Sequence, residues 1–288
     1  PRHPANLKQQ IKYLAAYVME DSRSSKWNPA DYAKNSDAQL KWARSLTKNL
    51  NLAEYKSILD VGCGDGKITA DFAASLPQSR IVGVDSSPEM IAYAAEKYPN
   101  RHYPNLTFAC VDARSLDFNQ EFDLIFSNAT LHWVNEHQAF LQGAHKALKE
   151  QGRLIISCGG KGNAAEVLAT FAELTAKDLW QPYFADFDNP YFFYGLEDYQ
   201  TWLQQSGFAV KRLELVPKDM THQGEAGLAG WIRTTWMPFT KYVPETKRDD
   251  FIAQFVELYL AKNTLDAQGL SHVSMVRLEV DANKINAV

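Results

Sequence analysis

The residues of this chain best suited to chemistry are carboxylates and glycines set at the ends of short apolar runs. Ser57-Ile58-Leu59-Asp60-Val61 is one such run; Gly62-Cys63-Gly64-Asp65-Gly66 follows it, and a helical pattern begins at Lys67. Glycine lets a backbone approach a ligand closely, and a strand-to-helix turn of this kind can cradle a nucleotide. A second acid, Asp85, closes the run Ile81-Val82-Gly83-Val84. It lies roughly 20 residues on, where a ribose-binding carboxylate is expected. A third run ends in Asp112-Ala113 and a fourth in Ser127-Asn128-Ala129-Thr130-Leu131-His132-Trp133. One glycine turn is weak evidence of a ligand site, whereas four ordered strand-end signals are strong evidence.

Glycine spacing separates the candidate cofactors. A dinucleotide fingerprint requires G-x-G-x-x-G, with the third glycine beside a pyrophosphate. Here the third glycine is Gly66, and Lys67 occupies the position the dinucleotide pattern would use. That disfavours a nicotinamide oxidoreductase. The ordered set Asp60, Gly62-x-Gly64-x-Gly66, Asp85, Asp112 and Ser127-Asn128 resembles the class I S-adenosylmethionine-dependent methyltransferases. The resemblance implies S-adenosylmethionine as cofactor, with the backbone of Gly62, Cys63 and Gly64 against its ribose and methionyl part. It further implies Asp60 accepting from the ammonium or an ordered water, and Asp85, beside Ser86, accepting the ribose hydroxyls. Met90 would cover the adenine, Asp112 and the Ala113 amide would meet its amino group, and Ser127 and Asn128 would border the sulfonium.

The segment from Ser127 to Val134 resembles more narrowly the trans-aconitate and juvenile hormone acid methyltransferases, which esterify carboxylates of small molecules. The resemblance makes His132 and Trp133 the candidate catalytic residues, with His132 the first suspect for a base if the acceptor is a hydroxyl, an amine or a carbon acid. Those families carry an N-terminal gate whose general form is matched by Trp27-Asn28-Pro29-Ala30-Asp31-Tyr32. Trp27 would face substrate, while Tyr32 and Gln39 would reach the cofactor. A carboxylate in an apolar pocket needs a cation or several donors. Lys161 and Arg233 are the candidate cations, with Trp231 and Trp236 as pocket wall.

Composition narrows the partners. Thirty basic and 34 acidic residues give a formal net charge of −4, which offers no basic face for a phosphate backbone. No apolar run reaches the roughly 18 residues that cross a bilayer, and no signal layout opens the chain, so the cytoplasm is expected. Three cysteines are too few for a disulfide framework; Cys110 and Cys158 are expected in buried strands and Cys63 in the glycine loop. The seven histidines lack ligand spacing, so no metal is expected.

These residues must be held by alternating short strands and helices, the signature of a mostly parallel, doubly wound sheet. Strands are expected at 57-61, 81-84, 106-111, 122-127, 152-157, 208-215 and 273-280, and helices at about 35-50, 67-75, 87-97, 136-149 and 197-206. Gln151-Gly152 reads as a helix C-cap. The resulting fold class is α/β, a Rossmann-like seven-stranded sheet with an antiparallel last strand, helices on both faces and a helical lid. The expected organisation is an N-terminal helical gate at 1-50, a cofactor-binding core at 51-160, an irregular aromatic insert at 161-195, core again at 196-216, the helical lid at 217-271 and a final core strand at 272-288. At 288 residues and 45% apolar content the chain supplies a sizeable core. The function expected is methyl transfer to a small organic molecule, foremost to oxygen and in particular to a carboxylate. The alternatives are N- or C-methylation of a small metabolite, or a non-catalytic S-adenosylmethionine-binding module.

Overall fold

The computed structural model describes residues 37–48 and 50–285, so the gate residues Trp27 and Tyr32 lie outside the described residues, as does the side chain of Gln39. The elements run α1 (Asp37–Thr47), β1 (Ser57–Val61), α2 (Lys67–Ser75), β2 (Arg80–Asp85), α3 (Pro88–Lys97), β3 (Leu106–Cys110), β4 (Phe122–Asn128), α4 (His137–Ala147) and β5 (Leu148–Gly159). Then follow α5 (Ala165–Thr175), α6 (Leu196–Gln205), β6 (Phe208–Gln223), α7 (Gly224–Thr235), α8 (Met237–Thr240), α9 (Glu245–Lys262) and β7 (Leu270–Lys284).

The seven strands form one sheet in the order β3-β2-β1-β4-β5-β7-β6. The first five are parallel, and β7 is antiparallel to both β5 and β6. All five residues of β1 are buried, as a central parallel strand covered on both faces requires. Successive side chains alternate between faces. Leu59 and Leu154 join one core with Phe122, Phe140 and Val280, while Ile58 and Ile155 join the opposite core with Phe72 and Phe126. The strand ends bearing Asp60, Asp85 and Asn128 are thereby fixed side by side.

Local chemistry sets the helix starts. The Ser87 hydroxyl accepts from the Met90 N–H at 3.2 Å, and Pro88 opens α3, where its missing N–H costs nothing. Hairpin β6–β7 outruns the rest of the sheet. Pairing with β5 stops at Gly159 and Arg277, whereas β6 and β7 stay paired out to Gln223 and Leu270. The projecting ribbon carries Met220, Val273 and Met275 into a third apolar cluster with α5, α7, α8 and α9, built on Phe171, Trp180, Ile232, Phe239, Phe251 and Phe255.

Four local expectations need correction. Cys110 is exposed, because β3 is the edge strand and its last residue has no neighbour on one side. Helix α4 ends at Ala147, and Leu148–Glu150 already belong to β5; the left-handed conformation falls on Gln151 (φ 60°) at an irregularity in the β4–β5 register. The stretch read as irregular after Lys161 contains α5, where Val167, Phe171 and Leu174 form one buried helical stripe. Residues 217-223, read with the helical excursion, are strand.

Candidate active site

Most of the strand-end residues converge on one cavity of about 420 Å³. Gly62, Gly64, Asp85, Ser86, Met90, Asp112, Ala113 and Trp133 line it. The glycine loop is anchored beneath it: the N–H groups of Gly62 and Cys63 both donate to the Val84 carbonyl, at 2.7 and 2.9 Å. Gly62 has φ 76°, and a Cβ there would stand 2.0 Å from the Thr130 methyl. Glycine is therefore required both for the turn and for the approach of Thr130, whose hydroxyl donates to the Gly62 carbonyl at 3.0 Å.

Asp85 performs two tasks. Its Oδ2 accepts from the Gly64 N–H at 3.0 Å and its Oδ1 from the Ser87 N–H at 2.9 Å, so one carboxylate joins the glycine loop to the start of α3. Burial pushes its pKa up, and the backbone donors pull against that shift. Each oxygen accepts one of these two bonds and has a further lone pair to offer. A cavity floored by side-chain-free glycine, walled by Met90, Val111 and Ala113 and carrying the Asp85 carboxylate fits a nucleoside with vicinal hydroxyls.

Asp112 is less free than its position suggested. Arg114 grips it through Nε and Nη2 at 2.6 to 3.2 Å, and that pairing holds its carboxyl below the usual range. Arg114 also lines the cavity, making it a lining cation that the sequence reading passed over.

Several expected residues sit behind the cavity rather than on it. Asp60 is 2% exposed and accepts from the Thr69 hydroxyl at 2.7 Å; burial raises its pKa to about 7. The Cys63 side chain is buried, and burial pushes its thiol up. Ser127 donates to the Val61 carbonyl at 2.9 Å, and the Asn128 side-chain oxygen accepts from Arg277 at 3.1 Å. These four act as support for the strand ends.

His132 and Trp133 lie on a short 3₁₀ turn (Leu131–Trp133) at the rim. The His132 Nδ1 accepts from the Gly159 N–H at 3.2 Å. Burial, followed by the nearby charge of Arg277 and by His137, pushes its pKa down to about 3. Its ring stands among Trp133, Tyr191 and Phe193, with centroids 5.4, 6.3 and 6.1 Å away. Tyr191 in turn packs 4.6 Å from Trp133 and edge-on to Trp236 at 5.2 Å. The Phe192 N–H donates to the His132 carbonyl at 2.9 Å and stitches this aromatic segment across the rim.

The candidate acceptor-binding residues are spread out. Arg233 is exposed on α7, 3.5 Å from Asp249 of α9, and Lys161 is exposed; neither lines the cavity. Trp236 is buried in the third core, and Trp231 packs between it and His222. Sequence reasoning missed Ser87, Arg114, Thr130, Asn135 and Phe192 as lining residues. Thr130 stood within the segment quoted for the resemblance, and its neighbour Ala129 takes φ 58°, a turn that nothing in an alanine announces.

Residues 52–204 match the methyltransferase-domain family, and the chain belongs to it. It is an S-adenosylmethionine-dependent methyltransferase, with S-adenosylmethionine as its cofactor. An uncharacterised methyltransferase of Schizosaccharomyces pombe is 29% identical over 90% of this chain and 98% of its own length. A trans-aconitate 2-methyltransferase of an Enterobacter species is 27% identical over 88% and 96%. The crystal structure of an O-methyltransferase from a trans-AT polyketide synthase of Brevibacillus brevis, in complex with S-adenosylhomocysteine, superposes with a TM-score of 0.54 at 13% identity. It covers 90% of this chain and 77% of that one, a likeness of fold. Among the described residues no helix is long and apolar enough to cross a membrane, and no group of three or more His, Cys, Asp or Glu side chains could hold a metal ion.

Proposed function

We propose that the chain methylates an oxygen of a small organic molecule, and that this oxygen belongs to a carboxylate. The observation that carries the reading is the aromatic wall of Trp133, Tyr191 and Phe193 beside the cofactor cavity, closed behind by Trp236 and the third core. Such a wall suits a small, largely apolar body with one polar end. The trans-aconitate relative, matched across nearly its full length, supports an acid as acceptor.

When bound, S-adenosylmethionine supplies an electrophilic methyl group on a sulfonium cation. The chain's own residues bind and orient. Asp85 takes the ribose hydroxyls, Met90 and Ala113 cover the adenine, and the Gly62-Cys63-Gly64 backbone admits the methionyl end. Asp112 receives the adenine amino group while Arg114 holds it in place. The helices α5 and α7–α9 act as a lid that excludes water from the acceptor, and alignment of the two partners does the remaining work. Isotope-labelled S-adenosylmethionine, incubated with panels of organic acids, phenols and amines, tests the reading. Labelled product that mild alkali hydrolyses to methanol is the expected result, and label that resists alkali would sink it.

A further inference from the structure

Resting on that reading, we infer that His132 is a hydrogen-bond donor and not a base, and that its Nε2–H and the Tyr191 hydroxyl together hold the acceptor carboxylate beside Trp133. The tautomer follows from geometry. A backbone N–H can only donate, so the Gly159 N–H makes Nδ1 the lone-pair nitrogen and leaves the proton on Nε2. A Cβ at Gly159 would stand 2.7 Å from the Phe193 ring and 3.0 Å from the Asn163 side-chain nitrogen, so the bare glycine lets Phe193 pack beside His132. Among the described residues neither His132 Nε2 nor the Tyr191 hydroxyl has a hydrogen-bond partner.

The two neutral rings stand 6.3 Å apart between centroids, and Tyr191 packs 4.6 Å from Trp133, which lines the cavity. A third donor stands behind them: the Trp236 indole N–H, on a residue 3% exposed, is buried without a partner. Orphaned buried donors call for a ligand or water to accept from them. An anion is the ligand that gains most from several donors in a low-dielectric pocket. Among the described residues, the charged and titratable groups around His132 are Arg277 on β7, His137 on α4 and Tyr191 itself; the cation among them favours an anion and disfavours imidazolium. Burial likewise keeps the Tyr191 hydroxyl protonated by pushing its pKa up.

The chemistry then balances without a base. A lone pair of the carboxylate oxygen forms the bond to the methyl carbon while the carbon–sulfur bond breaks with its electrons left on sulfur. The anion becomes a neutral ester, and no proton moves. The donors hold the second oxygen and leave the first free to attack.

Nitrogen NMR of imidazole-labelled full-length protein, with His132 assigned by comparison with His132→Gln, reads the tautomer directly. A fixed Nε2–H form that does not titrate between pH 5.5 and 8.5 is expected; titration near neutrality or an Nδ1–H form would overturn the inference. In labelled methyl transfer to trans-aconitate and a panel of mono- and dicarboxylic acids, His132→Ala and Tyr191→Phe should each raise KM at least tenfold. His132→Gln, which keeps an N–H donor, should recover most of that loss, and the affinity for S-adenosylhomocysteine by calorimetry should stay within twofold in all three. Unchanged KM in His132→Ala or no recovery in His132→Gln would overturn it, whereas no acid methylated at all would fell the carboxylate reading and this inference with it. Loss of S-adenosylhomocysteine affinity in the parent protein would instead strike the reading of the cofactor cavity.

Discussion

At the scale of single residues, the β1 and β2 carboxylates beside the glycine turn, Asp60 and Asp85, have opposite duties. Asp85 faces the cavity and is held by two backbone N–H groups. A hydrogen bond to a charged group contributes about 1.5–3 kcal/mol. Asp85→Ala should therefore weaken S-adenosylhomocysteine binding ten- to a hundredfold in calorimetry, and should also lower Tm because Gly64 and Ser87 lose their acceptor. Asp60 is sealed in with Thr69 and has its pKa raised to about 7. The folded chain then holds this proton more tightly than the unfolded one, whose carboxyl titrates near the ordinary 3.8. Stability falls as pH rises between those values, because the native state binds more protons there. Asp60→Asn should relieve this cost, on the order of a few kcal/mol from about 1.4 kcal/mol per pKa unit. Melting curves of both proteins at pH 5 and pH 8 check it: the gain in Tm from the substitution should be larger at pH 8, and an equal gain at both would count against a buried, costly carboxylate.

Legibility in the sequence was greatest at this scale for residues that close strands. Gly62, Gly64, Asp85 and Asp112 are fixed by the chain's own local order, since a turn after a buried strand has few conformations open to it. Tyr191 and Phe192 were visible only as aromatics in an insert. Their place at the rim depends on a hydrogen bond to the His132 carbonyl, 60 residues distant in sequence, and no local pattern encodes that contact. Arg233 shows the reverse error: a cation in the right segment whose position on the outer face of α7 turns it toward Asp249.

At the scale of elements, the projecting β6–β7 ribbon is held at its outer end by a charge clamp. His272 on β7 meets Asp219 of β6 at 2.7 Å through Nδ1, and Asp266 of the preceding loop at 2.9 Å through Nε2. The Asp266 hydrogen bond, and after it that of Asp219, raises the His272 pKa. A raised histidine contributes stability that is fully present below its ordinary value of 6.5 and is lost as pH climbs through the raised one. His272→Gln should accordingly lower Tm at pH 5.5 and have little effect at pH 9. A deficit that persists undiminished at pH 9 would show that packing, and not charge, secures the ribbon. The seven strands were readable because period-two alternation and short apolar runs are local; the extra length of this hairpin was not, because it is set by the helices the ribbon supports.

At the scale of the whole molecule, the sheet with its two covering cores and the helical cluster bury separate sets of side chains. Cooperative units of this kind open and close with their own free energies. Hydrogen exchange should then report two distinct responses. S-adenosylhomocysteine alone should slow exchange around Gly62–Gly66, Asp85–Met90 and Asp112–Arg114 while leaving α7–α9 unaltered; an accepted acid added to that complex should slow α7–α9 and residues 191–193. Uniform protection by the first ligand would mean the two units behave as one.

The pairing of Gln223 with Leu270 places the departure and return of the α7–α9 segment on adjacent strands of a single hairpin. Cα atoms of such partners stand about 5 Å apart, so the chain closes this loop whatever its length, and closure entropy grows only slowly with added residues. The hairpin is thus a graft point. A different segment spliced between those two residues would meet the same pair of ends and leave the register of the sheet unchanged.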